Sequence, residues 1–139
     1  METEASLLKH ILVVDDDPTT RRFFGSLLAR AGFEVLYAKD GNDGREMAKR
    51  LRPDLILLDY NMPIMNGVET AERIKGDPDP TIVSIPIALL TNEDLSIEDQ
   101  RAIKDIGVVD YMQKGLSNEE FVARVKKLMI STTKPDGVK

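Results

Sequence analysis

Three short runs, Ile11-Leu12-Val13-Val14, Leu55-Ile56-Leu57-Leu58 and Ile87-Ala88-Leu89-Leu90, contain no polar residue. A strand with one wet face alternates apolar and polar positions; a run without alternation suits a strand buried on both sides. Strands of that kind belong to parallel sheets covered by helices on each face. Val35-Leu36-Tyr37-Ala38 and Val108-Val109-Asp110-Tyr111-Met112 are weaker strand candidates, placed nearer the sheet edges.

Between these runs apolar residues recur at helical spacing. Phe23, Phe24, Leu27, Leu28 and Ala31 form one stripe, and Met47, Ala48 and Leu51 a second. Val68, Ala71 and Ile74 form a third, and Ile97, Ala102, Ile103 and Ile106 a fourth. Phe121, Val122, Val125, Leu128 and Met129 give the clearest, in a helix started by Ser117 or Asn118. Each is read as a face turned to the core. Asp17-Pro18 has the form of an N-cap followed by a first-turn proline. Gly32, Gly76 and Gly107 stand where helices would stop. Gly76 to Ile85, rich in Asp and Pro, reads as an extended loop, and Ser131 to Lys139 as a polar tail or the start of a linker.

Five strand-helix pairs predict an α/β fold. With right-handed crossovers this is a flavodoxin-like, doubly wound, five-stranded parallel sheet of order 2-1-3-4-5, with five helices. The 139 residues are read as a single domain, its core about 9–130. The chain has no cysteine, which excludes disulfides, thiolate metal sites and cysteine nucleophiles. A net charge of −5 argues against a broad nucleic-acid-binding face, which would need clustered Lys and Arg. No apolar run is long enough to cross a membrane, and a cytoplasmic location is expected.

In an open parallel sheet, ligands bind beyond the carboxyl ends of the strands. The first apolar run is followed by Asp15, Asp16 and Asp17, the third strand by Asp59, the fourth by Thr91 and the fifth by Lys114. Crowded carboxylates favour protonation unless a cation neutralises them. Magnesium suits a few carboxylates together with waters and phosphate oxygens. A carboxylate can also be the nucleophile that takes a phosphoryl group, a transfer governed by positioning and charge stabilisation. Lys114 and Thr91 would each serve one phosphoryl oxygen. Singly, Asp17 is a cap, Thr91 a helix start and Lys114 a solvated charge. Their joint placement after four strands is what points to a site.

These residues resemble the response-regulator receiver domains of two-component signalling, in particular single receivers like the chemotaxis proteins. Ile11 to Asp17 is similar to the family's acidic-pair motif. Asp59-Tyr60-Asn61-Met62-Pro63-Ile64-Met65-Asn66-Gly67 is similar to its phosphoacceptor loop. Thr91 matches the switch threonine, and Gly107 to Lys114 the segment with the switch aromatic, Tyr111, and the lysine. The resemblance spans about Lys9 to Met129. It implies that Asp59 takes phosphate from a histidine kinase or histidine phosphotransfer protein. It implies that Asp16, Asp59 and the Asn61 carbonyl contact magnesium directly, with Asp15 acting through a bound water. It further implies a switch, not an enzyme, in which Thr91 moves toward the phosphoryl group and Tyr111 turns inward. The face made by the fourth helix, fifth strand and fifth helix would then meet a downstream protein or a second copy of the chain. Three departures stand out: Asn92 in place of Ala or Gly, Gly115 in place of the proline after the lysine, and the long 76–85 loop. With Gly115, a trans Lys114-Gly115 bond is expected.

Asp15-Asp16-Asp17-Pro18-Thr19 also fits the Asp-x-Asp-x-Thr pattern of haloacid-dehalogenase-like phosphatases. In that alternative Asp15 is the nucleophile and Asp17 the acid/base, and the Asp59 loop has no role.

Overall fold

The computed structural model describes residues 8–132. The order of elements is β1 (His10–Val14), α1 (Pro18–Arg30), β2 (Glu34–Ala38), α2 (Gly41–Leu51), β3 (Leu55–Asp59) and α3 (Gly67–Lys75). Then come α4 (Pro80–Val83), β4 (Ile87–Thr91), α5 (Ile97–Ile106), β5 (Asp110–Gln113) and α6 (Asn118–Thr132). All strand pairs are parallel and the order is β2-β1-β3-β4-β5, as the apolar runs predict.

The three unbroken runs are the three central strands. Alternate side chains enter two separate cores, which is why no polar residue interrupts them. Leu12, Val14, Ile56, Leu58, Ile87 and Leu89 pack with Ala48, Ala71, Ile74 and Ile103 under α2, α3 and α5. Ile11, Val13, Leu55, Leu57, Ala88 and Leu90 pack with Phe24, Leu28, Phe121 and Val125 from α1 and α6. The Phe24 and Phe121 rings, 4.8 Å apart, join those two helices.

The caps form where the sequence puts them. Asp17 accepts from the Thr20 amide at the start of α1, with Pro18 in the first turn. Ser117, not Asn118, caps α6 by accepting from the Glu120 amide at 3.1 Å. Gly107 ends α5 at φ +109°, a conformation open to glycine without a Cβ penalty.

Several expectations need correction. There are six helices among the described residues, because the 76–85 segment is not wholly extended. Asp79 caps a single turn, α4, by accepting from the Thr81 amide, with Pro80 at its first position. Not every striped residue is core: Phe23 is 49% exposed and Ile97 66%, and Leu51 is also open to solvent. The last strand begins at Asp110, not Val108. The α6 helix continues through Thr132, two residues into the expected tail, and 133–139 lie outside the described residues.

Candidate functional site

The parallel sheet aims every strand's last residue at one edge. At the end of β1, Asp15 is 1% exposed and held from both sides. The Asp17 amide donates to its Oδ1 at 2.9 Å, and the Arg21 guanidinium donates to its carbonyl at 2.8 Å. Asp16 is exposed beside it. Asp59 closes β3 and is 4% exposed. One carboxylate oxygen from each of Asp15, Asp16 and Asp59 falls within 4.8 Å of the other two.

Lys114 reaches this cluster from the far side of the sheet. Its amide extends the β4–β5 ladder by donating to Thr91 O at 2.8 Å. Its ammonium then lies 2.9 Å from Asp59 Oδ1 and 3.5 Å from Asp15 Oδ2. No cis peptide bond occurs among the described residues, and Gly115 leaves this reach intact.

One ammonium faces three carboxylates, and the balance is visible at Asp59 and Lys114. Burial pushes the Asp59 carboxyl up to about 6, reinforced by the charge of Asp15 and only partly opposed by Lys114 and the Asn61 amide. Burial also works to lower the Lys114 ammonium. The hydrogen bond to Asp59 and the charges of Asp15 and Asp59 outweigh it, so the ammonium is held above its usual range. The protein thus leaves negative charge uncompensated in a pocket of hard oxygens, the donor set a small divalent cation prefers. Asp15, Asp16 and Asp59 fit such an ion.

The β3–α3 loop shapes the rim. Asn61 donates its amide to Asp59 Oδ1 at 3.3 Å. Asn66 caps α3 in a reciprocal capping box with Glu69. Between them Gly67 passes so close to β3 that a Cβ there would meet the Asp59 carbonyl oxygen at 2.4 Å. This is a backbone contact with no room to yield, and it explains the glycine of the motif.

Thr91 is fully buried at the end of β4. Its hydroxyl donates to Glu93 O at 3.1 Å and accepts from the Glu93 amide at 3.2 Å. Tyr111 pairs with Leu89, and Gln113 with Thr91, so Tyr111 and Thr91 share one face of the sheet a single step apart. The Tyr111 ring is half-buried against the core and lines a hollow of about 560 Å³ between α5 and β5.

Two other candidates lie elsewhere. Asp17 gives its carboxylate to Thr20 and holds its pKa below the usual range through that bond, so it stands outside the cluster. The phosphatase-like alternative thereby loses its acid/base. His10 sits at the opposite edge, its amide donating to Asp54 at 2.8 Å. Arg21 and Glu93 were not legible as site residues. Arg21 is an ordinary-looking base in the first helix, and Glu93 acts only through its backbone.

Known proteins resemble the chain in sequence and in fold. The family described as the response regulator receiver domain matches residues 11–126. The chain is 42% identical over 122 residues to hybrid signal transduction histidine kinase D of Dictyostelium discoideum, covering 86% of this chain and 7% of that protein. It is 35% identical over 127 residues to response regulator MprA of Mycolicibacterium vanbaalenii, covering 91% of this chain and 53% of the relative. It thus spans about half the length of that regulator and a small part of the kinase. Among solved structures, chemotaxis protein CheY4 of Vibrio cholerae superposes with a TM-score of 0.79 at 29% identity, over 86% of this chain and 98% of the other.

Proposed function

The chain belongs to the response regulator receiver family, and on that premise we propose that it takes a phosphoryl group onto Asp59 from a phosphohistidine and relays the change to a protein partner. The donor is a histidine kinase or a histidine phosphotransfer protein. The single observation that carries this reading is the buried Asp59 carboxylate, hydrogen-bonded to Lys114 at 2.9 Å among carboxylates that one ammonium does not neutralise.

In the transfer, an Asp59 oxygen forms a bond to phosphorus as the P–N bond to the donor imidazole breaks. The electron pair returns to the ring nitrogen, which takes a proton from solvent. Asp15, Asp16, Asp59 and the Asn61 carbonyl would hold magnesium, which when bound supplies positive charge to the phosphoryl oxygens. Lys114 neutralises a further oxygen and stays close to its present place. Thr91 exchanges its Glu93 partners for a phosphoryl oxygen. Tyr111, one step along the same face, turns into the space that opens. The α5–β5–α6 face then differs between the two states and engages a downstream protein or a second copy of the chain. The domain works as a cytoplasmic switch and not as an enzyme in its own right. It binds neither nucleic acid nor membrane directly.

The test is to incubate the chain with acetyl phosphate and magnesium and to locate the modified residue by mass spectrometry. Label on Asp59, absent in Asp59→Asn and without magnesium, is expected. Label on Asp15, or full labelling of Asp59→Asn, would overturn the reading.

A further inference from the structure

Ile64 combines an exposed apolar side chain with a strained backbone. It is 99% exposed, more than any other large apolar side chain among the described residues. Its backbone lies at φ +69°, at the centre of a tight turn in which the Met65 amide donates to Pro63 O at 2.7 Å. In that left-handed region the Cβ crowds the following carbonyl oxygen, and a β-branched residue is the least suited to it. An isoleucine in water also gains nothing from burial.

Arg52 shows what an offset looks like. Among the described residues it is the other non-glycine residue at positive φ, at 51°. Its guanidinium bonds Thr81 and, at 3.1 Å, Asp79, so the conformation serves to fasten α4. The Ile64 conformation closes only the backbone bond from Met65 to Pro63 O, and its side chain stays in solvent. A glycine or asparagine would hold the same turn with less strain.

Its position supplies the missing partner. Ile64 lies in the β3–α3 loop and lines a hollow of about 270 Å³ with Asp16, Lys39, Gly41, Pro63 and Met65. The same hollow therefore borders the carboxylate cluster. A protein that delivers a phosphoryl group to Asp59 must bring its own surface down onto this rim. A small phosphodonor need not.

We propose that Ile64 is a specificity-determining contact for the phosphodonor protein, seated in an apolar recess beside the donor histidine. The inference rests on the phosphoacceptor reading of Asp59 given above and adds to it the residue that recognises the donor's surface. The bond changes are those already written; Ile64 takes part in none of them.

The experiment uses the full chain, acetyl phosphate with magnesium, and a panel of phosphorylated histidine kinases and phosphotransfer domains. The panel member that transfers fastest to the wild type is then used on the variants. With acetyl phosphate, Ile64→Asn should label Asp59 at the wild-type rate within about twofold. From the protein donor its kcat/KM should fall about tenfold or more, mainly through KM, as for a central apolar contact. Its Tm should rise by about 2–5 °C, because asparagine tolerates the left-handed region better. Ile64→Leu, which keeps the apolar side chain, should stay within about threefold of wild type with the protein donor. Equal transfer to Ile64→Asn and wild type would overturn the inference. So would an equal loss with both kinds of donor, which would mark a structural role. If acetyl phosphate labels Asp59 but no panel member transfers to the wild type, the inference fails and the reading of Asp59 stands. If acetyl phosphate leaves Asp59 of the wild type unlabelled, both fail.

Discussion

Both ends of the sheet gather acids and bases, but only at the carboxyl ends do three carboxylates converge beside a single ammonium among the described residues. At the amino ends of the strands, Arg52 and Thr81 hold Asp79, and Lys75 donates to Val83 O and Ile85 O, each at 2.8 Å. Asp77 accepts from the Asp79 amide at 2.9 Å and faces Lys49 at 3.9 Å. The hydrogen bonds from Thr81, with help from Arg52, keep the Asp79 carboxyl below its usual range. At the carboxyl ends, burial drives Asp59 the other way, to about 6. A cluster of charge therefore does not by itself mark a functional site. What marks one is charge that the chain's own hydrogen bonds and counter-charges leave exposed to a ligand.

The largest expected effect comes from the opposite signs of these shifts. An acid whose pKa is higher folded than unfolded holds a proton in the native state that the unfolded chain has released. For Asp59, between the ordinary value of 3.8 and about 6, metal-free stability should fall as pH rises. The shift corresponds to at most roughly 3 kcal/mol. Asp79 behaves inversely: its contribution is present above 3.8 and is lost as pH falls through its lowered folded value. Urea unfolding from pH 3 to 8, without divalent ions, should show stability lost at both ends of that range. Asp59→Asn should remove the loss between about 4 and 6 and leave the acid limb. A variant with the same profile as wild type would place the tension on some other group.

The second effect belongs to the amino ends of the strands, where burial holds the Lys75 ammonium below its usual range. Lys75→Met should cost about 2 kcal/mol, because the Val83 and Ile85 carbonyls lose a charged donor. The cost should be the same from pH 4 to 8, and acetyl phosphate should label Asp59 at the wild-type rate. If labelling slows markedly, the two ends are coupled and the contrast between them is wrong.

A third effect sharpens the contrast with metal. Magnesium at ten times its dissociation constant should stabilise the wild type by about 1.4 kcal/mol. Asp16→Asn should need far more magnesium for the same shift, whereas Asp79→Asn should respond as wild type does. Thermal unfolding at a series of magnesium concentrations measures all three.

The sequence disclosed the carboxyl ends of the strands far better than the amino ends, and the reasons are physical. Strands buried on both faces announce themselves as unbroken apolar runs, and a parallel sheet fixes which residues follow each run. Asp15, Asp16, Asp59, Thr91 and Lys114 were therefore readable as neighbours. The fastening of α4 was not. Arg52, Lys75 and Asp79 are ordinary surface residues until the fold brings them together, and a single turn after Asp-Pro-Asp-Pro has no periodicity to detect. Helical stripes also misled in part. A stripe fixes a direction but not the width of the covered face, so Phe23 and Ile97 lie in the pattern and remain exposed. The positive φ of Ile64 left no trace, because residue type argues against it. The partner of the Thr91 hydroxyl is backbone, which sequence does not specify.

The smallest expected effect asks whether the tension at the active end resides in side chains or in backbone. Gly115 follows Lys114 where the family's pattern has proline. A Cβ built on it meets nothing within 4 Å, and it is not among the glycines at positive φ, which are Gly32 and Gly107 among the described residues. Its backbone is therefore one that alanine adopts without strain. Gly→Ala at such a site stabilises by about 0.4–1 kcal/mol, chiefly by narrowing the unfolded ensemble. Gly115→Ala should gain that much and label Asp59 at the wild-type rate, since Lys114 is placed by its own amide bond to Thr91 O and by its ammonium contacts. Gly67→Ala is the control at the same end: its Cβ would press on the Asp59 carbonyl oxygen, so stability and labelling should fall together. If Gly115→Ala instead lowers labelling while raising stability, the glycine's freedom is needed to seat Lys114. Backbone flexibility would then join uncompensated charge in distinguishing this end of the sheet.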